Sequence, residues 1–484
     1  MTNGATIIEL DATSQQRLLT SAVSRILAHR EQVGDLPVER QVPPSDLRRR
    51  LSTFDLESGT GDVDLVVARA ADLLEEHGVL TSHPRHFGLF NPTPLAAGIA
   101  ADILTAGFNP QLAVWNHAPG AVEIEAHVVR TFGRWLGMPE AVGSFTSGGA
   151  EANATAVLLA LQQAAPEVAE RGLRALGSQP VMYASTESHL AWLKIAQQTG
   201  IGRDAVRLVP VTEDLKLDVD RLQQMIEADR RDGCLPFLVV GTAGTTGAGV
   251  IDPLVDLGRV ADEEDLWLHV DAAWAGAVAV SPVLAPLLAG VARADSVTVD
   301  PHKWLSVPMG AGMFLTPHHR LLDRVFAVST SYMPSKADDA RDPYTSSMQW
   351  SRRAAGLKLF LTLAVHGRTG YARLLEEHVR LGDRLRRQLT AAGWQLANPT
   401  PLPVVCAVDP ARPDDEAHHR SLAHRVVDTG RAWVSYVAVD GRPAVRACVI
   451  SHRTTEADVD ALVEAMDDAR EAVPGAPTAE AMTH

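Results

Sequence analysis

Ser296–Leu305 reads SVTVDPHKWL. Val297 and Val299 alternate with Ser296 and Thr298, the period of a β-strand, and Asp300–Pro301 ends the run abruptly. Lys303 therefore sits just past a strand end. Flanked by Pro301, His302 and Trp304, its ammonium is placed to lose part of its hydration, which favours the neutral, nucleophilic amine. That is what a Schiff-base lysine needs. A lysine in an ordinary surface turn carries the same local pattern, so the rest of the chain has to decide.

Other strand ends carry chemistry too. FTSGGAEAN, Phe145–Asn153, turns through small residues straight into an Ala- and Leu-rich helix expected from Glu151 to about Gln163. The N–H groups of Ser147, Gly148, Gly149 and Ala150 are expected to point free at the helix start, where they and the macrodipole suit a phosphate. A plain Gly-rich cap explains the same residues. Val181–Ala184 reads as a strand followed by STESH, which leaves His189 in the next turn. LVVGTAGTTG, Leu238–Gly247, is an apolar strand running into a Gly/Thr turn, and LWLHVDAAWAGA, Leu266–Ala277, puts Asp271 at the end of a run apolar on both faces. A carboxylate buried there needs a cationic or hydrogen-bonding partner. Strands alternating with helices predict an α/β chain with a mainly parallel sheet, whose ligands bind beyond the carboxyl ends of the strands. The Gly-rich loop, His189, Asp271 and Lys303 all fall at such ends.

The chain has 484 residues with 46% hydrophobic and 21% charged side chains, a globular composition long enough for one large domain and smaller ones. The formal net charge of −15 disfavours nucleic acid and anionic membrane surfaces as partners. Cys234, Cys406 and Cys448 match no metal or redox spacing, so free thiols in a reducing cytoplasm and no metal are expected. The first residues lack a basic region followed by an apolar run, so no signal peptide is expected, and no apolar stretch is long enough to span a bilayer.

Toward the amino end, Thr13 and Gln16 have capping-box spacing, and Leu18, Leu19, Val23, Ile26 and Leu27 share one helical face. QVPPSD reads as a break before a second helix carrying Val63, Val66, Val67, Ala70, Leu73 and Leu74. Such an arm needs a larger domain or a second copy of the chain to cover it. HPRHFGLFNPTP, His83–Pro94, reads as a loop suited to a pocket rim. Met313–Leu315 begins another strand. Beyond it, helices over Leu357–Leu363 and Tyr371–Ala392 precede short strands (VVCAV, WVSYVAV, AVRACVIS) and a final helix from Glu456 to about Ala472. The expected layout is a helical arm over 1–85, a large α/β domain over 86–370, a small α/β domain over 371–473 and a disordered tail over 474–484. No internal repeats are visible.

HVDAAWAGA followed by VDPHKWL resembles the group II pyridoxal-phosphate-dependent amino-acid decarboxylases, which include aromatic amino-acid, glutamate, cysteine sulfinate and diaminobutyrate decarboxylases. HPRHF, TSGGAEAN, GTAGTTGAG and VRACVISHRTT extend the similarity over most of the chain. The resemblance implies the fold type I (aspartate aminotransferase-like) architecture and an intertwined homodimer with its active site at the subunit interface. It implies that Lys303 forms the internal aldimine with pyridoxal 5'-phosphate and that Asp271 pairs with the protonated pyridine nitrogen, which favours carbanion formation at the α-carbon. His189 matches the imidazole stacked on the ring and Ala273 the small residue beneath it. Ser147, Gly148, Gly149 and Ala150 match the phosphate loop, and Thr246, Asp300 and His302 match further cofactor positions. Some relatives carry Asn in place of Asp300, whose carboxylate would repel a phosphate unless protonated or turned away.

The family's proton donor to the α-carbon is a tyrosine opening a mobile loop. Tyr332 in STSYMPSKADDARD is the match, with Tyr344 at the far end of the stretch as the second candidate. Arg446 resembles the arginine near the substrate carboxylate. Trp274 and HPRHF, with His86 and Phe87, resemble the relatives that take acidic substrates. Trp115–Gly120, WNHAPG, follows neither the acidic nor the aromatic pattern, and Trp115, Asn116 and His117 suit a medium polar or aromatic side chain. An L-amino acid converted to an amine and carbon dioxide is the expected reaction. Decarboxylation coupled to oxidative deamination, giving an aldehyde, is the alternative within enzymes, and a silent cofactor-binding protein is the alternative outside them.

Overall fold

In the computed structural model, which describes residues 8–59, 61–328 and 340–472, the first helix spans Ala12–Gln32. Its N-cap is Asp11, whose carboxylate accepts from Ser14 N at 2.9 Å, so the cap lies two residues before the capping box expected at Thr13. The QVPPSD stretch does not only break the chain. Pro43 takes the N-cap and Pro44 the first turn of a helix, Pro44–Leu51, at a position where the missing N–H has no intrahelical partner to lose. Arg25 and His29 of the first helix reach Glu75 on the helix Val63–Glu75, each at 2.9 Å. Glu39–Arg40 (β1) and Gly78–Val79 (β2) pair antiparallel, and Val38 N bonds Gly430 O at 2.9 Å, tying the arm to the carboxyl-terminal region. The first helix itself buries no residue.

The central sheet has seven strands: Val142–Thr146 (β3), Pro180–Ser185 (β4), Val206–Val209 (β5), Leu235–Thr242 (β6), Trp267–Asp271 (β7), Ser296–Val299 (β8) and Gly312–Thr316 (β9). Their order is β3-β9-β8-β7-β6-β4-β5. β9 runs against both of its neighbours, while β8, β7, β6, β4 and β5 pair in parallel. Both faces are covered, which explains the near-continuous apolar runs. β4 sends Met182 and Ala184 into the layer formed with the helix Gly149–Ala164, and Val181 and Tyr183 into the opposite layer. Burying one such large side chain contributes about 1.5–3 kcal/mol.

The carboxyl-terminal region holds a four-stranded antiparallel sheet of Gln395–Leu396 (β10), Val404–Val408 (β11), Ser435–Val439 (β12) and Arg442–Cys448 (β13), ordered β10-β11-β13-β12. The helix Glu456–Glu471 packs on it, started by Asp458, whose carboxylate accepts from Thr455 N at 2.9 Å. The two helices expected around residues 357 and 371 follow one another within Gly356–Ala391, separated by a break at Gly367, whose φ of 65° and ψ of 171° are not helical. The expected boundary at 370/371 lies just past that break. The expected tail, 474–484, lies outside the described residues. Among the described residues no helix is long and apolar enough to cross a membrane.

Candidate active site

The carboxyl ends of β3, β4, β6, β7 and β8 converge on one pocket, and each delivers a different functional group. Lys303 comes from the turn after β8. Lys303 N bonds Asp300 O at 2.9 Å and Ser306 N bonds Lys303 O at 3.0 Å, while Asp300 N is held by Ala273 O at 2.7 Å. Trp304 anchors the turn from below: it is fully buried, and its indole N–H donates to His378 Nδ1 at 2.8 Å. The lysine is thus pinned at its backbone on both sides. Its Nζ lies 3.0 Å from Asp300 Oδ2. The other oxygen of Asp300 is buried with no hydrogen-bond partner.

Asp271 ends β7 and is buried. Its partner is not a cation. Asn153 Nδ2, one turn into the helix Gly149–Ala164, donates to Asp271 Oδ2 at 2.8 Å, and Ala273 N donates to Oδ1 at 3.1 Å. Two donors on the charged form offset the burial cost that the sequence raised.

The Gly-rich loop begins that helix at Gly149, and the first N–H groups of a helix lie outside its ladder. Ser147 differs from expectation. Its N–H is not free but donates at 2.8 Å to Glu151, whose carboxylate folds back over the helix start and also accepts from Gln349 Nε2. A Cβ on Gly149 would meet Asp300 Oδ2 at 2.9 Å, so this position admits backbone only. Gly148 lies across from His302, whose Nδ1 sits 2.8 Å from Ala311 O. Burial lowers the pKa of His302.

His189 follows β4, and its Nδ1 accepts from Ala191 N at 3.1 Å, so the neutral ring carries its proton on Nε2. Burial lowers its pKa, with Asp271 opposing. Thr246 follows β6. Gly244 of that turn has φ 91° and lies against Trp274, whose indole donates to Gly244 O at 2.7 Å. The pocket wall therefore combines Trp274, Thr246, Ala273 and His189.

The residues expected near a substrate are dispersed. Arg446 is buried, with its guanidinium donating to Ser435 Oγ at 3.1 Å, to Gly88 O at 2.7 Å and to Thr246 O. It reaches the pocket through Thr246. Phe87 does not line the pocket: its N–H bonds Trp433 O, its carbonyl accepts from Cys448 N, and its ring is buried in the small-sheet core. His86 is buried and stacked on Trp433 at 5.3 Å. Trp115 donates to Glu123 at 3.0 Å, with Asn116 exposed beside it. Tyr344 stacks on Trp350, and its N–H bonds Ala113 O at 3.1 Å. Tyr332 lies outside the described residues. Among those described, no cluster of His, Cys, Asp and Glu has the geometry of a metal site.

Residues 47–406 match the pyridoxal-dependent decarboxylase conserved domain. The chain belongs to the pyridoxal-dependent decarboxylase family. This decarboxylase is 27% identical over 463 residues to the aromatic-L-amino-acid decarboxylase of Bacillus atrophaeus, covering 93% of this chain and 94% of that one. It is 31% identical over 444 residues to the cysteine sulfinic acid decarboxylase of Homo sapiens, covering 88% and 89%. The crystal structure of mouse CSAD superposes with a TM-score of 0.89 at 28% identity, covering 95% of this chain and 99% of that one. The fold is therefore type I, the enzyme is a carboxy-lyase and its cofactor is pyridoxal phosphate.

The decarboxylase pocket fits that cofactor by its donor set. An amine, a carboxylate fixed by two donors and a helix start opened by Gly149 and Ala150 stand in one cavity, matching an aldehyde, a pyridine nitrogen and a phosphate. Sequence reading missed Asn153 and Glu151, which lie within the quoted FTSGGAEAN. It also missed His269, although its spacing of two from Asp271 puts both on one strand face.

Proposed function

We propose that this enzyme decarboxylates a free L-amino acid, releasing carbon dioxide and the corresponding amine. One observation carries the reading: Asp271, at the end of β7, and Lys303, in the turn after the neighbouring β8, share a pocket with the helix start at Gly149. Bound there, pyridoxal phosphate supplies an electron sink for the pair left behind when the carboxylate departs. Asp271, held as an acceptor by Asn153 and Ala273, would keep a proton on the ring nitrogen. His189 and Ala273 would hold the ring, and the N–H groups of Gly149 and Ala150 would hold the phosphate.

Arg446 commits three of its donors to oxygens of this chain, and we assign a remaining one to the substrate carboxylate. His86, Trp115 and Asn116 are proposed substrate-side residues, with His86 acting from its buried stack on Trp433. Tyr332 is the proposed donor of the proton to the α-carbon, because Tyr344 is already stacked on Trp350. The exposed apolar face of the first helix supports a homodimer with the active site at the interface. Three cysteines, none in a disulfide, support a reducing cytoplasmic setting, and the net charge of −15 argues against nucleic acid as a partner.

The test is a panel of L-amino acids offered to the purified enzyme with pyridoxal phosphate. Carbon dioxide and amine in equal amounts are expected from at least one. Aldehyde, ammonia and consumed oxygen would replace this reading with the oxidative one. An absorbance band that no amino acid shifts, with no gas released, would leave a silent binding protein.

A further inference from the structure

Behind Asp271 runs an unbroken file of hydrogen bonds through the protein interior. Trp267 Nε1 lies 2.9 Å from Ser296 Oγ, Ser296 Oγ 2.8 Å from His269 Nδ1, His269 Nε2 3.0 Å from Asn153 Oδ1, and Asn153 Nδ2 2.8 Å from Asp271 Oδ2. Every member is buried. Thr298 Oγ1 adds a weaker contact to His269 Nε2 at 3.3 Å, and the Trp192 ring meets the imidazole edge-on at 5.7 Å.

The chemistry of the two ends fixes the direction of the file. A carboxylate only accepts, so Asn153 presents its nitrogen to Asp271 and its oxygen to His269. His269 must then carry its proton on Nε2, which leaves Nδ1 as a lone pair. Ser296 is obliged to donate to that lone pair, and its own oxygen accepts from the Trp267 indole, which can only donate. Read from either end, the same sense results. Burial holds the imidazole neutral, with its pKa pushed down to about 4.

We propose that Trp267, Ser296, His269 and Asn153 form a one-way donor relay whose task is to keep Asp271 an ionised acceptor aimed at the cofactor nitrogen. These are positioning residues; none lines up with the reacting atoms itself. The inference rests on the functional reading above. Each link polarises the next in a low-dielectric interior, so the relay acts on Asp271 as more than one isolated amide would. A reversed imidazole would set two lone pairs against each other at Asn153 and undo it.

Two measurements test this. In the cofactor-free wild type labelled with 15N-histidine, His269, assigned by difference from His269→Gln, should show the Nε2-protonated neutral tautomer. The Nδ1-protonated form would overturn the proposal without any variant needing to fold. Pyridoxal phosphate 15N-labelled at the ring is then titrated into wild type, His269→Leu, His269→Gln and Ser296→Ala. His269→Leu should bind about ten- to a hundredfold more weakly and lose the protonated ring-nitrogen signal, the range typical of removed supporting shells. His269→Gln, which can still accept from Ser296 and donate to Asn153, should restore the signal. Should His269→Leu not fold, Ser296→Ala decides by the same signal. A folded variant with wild-type affinity and signal would sink the relay, whereas a wild type that does not take up pyridoxal phosphate would sink the functional reading instead.

Discussion

Lys303 Nζ lies 3.0 Å from Asp300 Oδ2, within a single turn closed by the backbone bond from Lys303 N to Asp300 O. The carboxylate that steadies the amine also stands against Gly149, at the proposed phosphate site. Two opposed demands meet on one side chain.

Asp300→Asn should therefore keep the cofactor and bind it several-fold more tightly, since a like charge near a phosphate costs about 1 kcal/mol or more even when well screened. Lys303→Ala should bind cofactor without the imine absorbance band and without labelling by borohydride. Absorbance titration reads both, and cofactor loss in Asp300→Asn would show that its pairing with Lys303 matters more than the repulsion.

Gly149→Ala places a methyl 2.9 Å from Asp300 Oδ2 and 3.4 Å from Ala273 Cβ. Overpacking of this kind costs about 1–3 kcal/mol, or about five- to 150-fold in cofactor affinity. Equilibrium dialysis with pyridoxal phosphate checks it, and unchanged affinity would remove the helix start from the phosphate site.

Stability should fall on acidification. Burial pushes His86 and His269 down to about 4 and His378 down to about 3, against about 6.5 in the unfolded chain. As pH drops from 6.5 toward 4 the unfolded chain takes up protons that the folded rings refuse, so stability is lost across that window and is flat above it. Each ring contributes about 2 kcal/mol of loss by pH 5. Asp252 acts in the opposite sense: burial pushes its carboxyl up to about 6, so the folded state gains between pH 6 and 3.8, and one such group does not offset three rings. Denaturant midpoints at pH 7.5 and 5.0 should differ, and His378→Gln, which keeps an acceptor for Trp304, should narrow the gap. Equal midpoints in the wild type would contradict the argument.

The first helix leaves Leu19 65% and Leu27 56% exposed on one face, and Ile103, Leu104 and Phe108 are exposed elsewhere. Leu19→Glu with Leu27→Glu should shift the sedimenting species from dimer to monomer. A wild type that sediments as a monomer at micromolar concentration would refute the assembly.

Much of this was legible in the chain because the pocket is built at strand ends, where an apolar run meets a break. The strand-end positions of Lys303, Asp271, His189 and the loop at Gly149 were readable on that ground, and their expected roles came from the family resemblance. What stayed hidden depended on distance or direction. Asn153 meets Asp271 across 118 positions of sequence, and no local pattern announces such a pairing. The reversal of β9 was equally silent, since alternation of side chains says nothing of strand sense. Pro43 and Pro44 read as a break because proline both stops and starts helices. Ser147 lost its expected freedom to Glu151, a carboxylate four residues on whose backward fold only coordinates reveal.

Trp304 adjoins the lysine, the Trp274 ring on the pocket wall lies 5.4 Å from the Trp304 ring, and Phe90 stacks on Trp274 at 4.5 Å. Indole emission falls where pyridoxal phosphate absorbs, so cofactor held at Lys303 would draw excitation from Trp304 and Trp274. Adding the cofactor should therefore dim the protein's own ultraviolet emission, without any added dye.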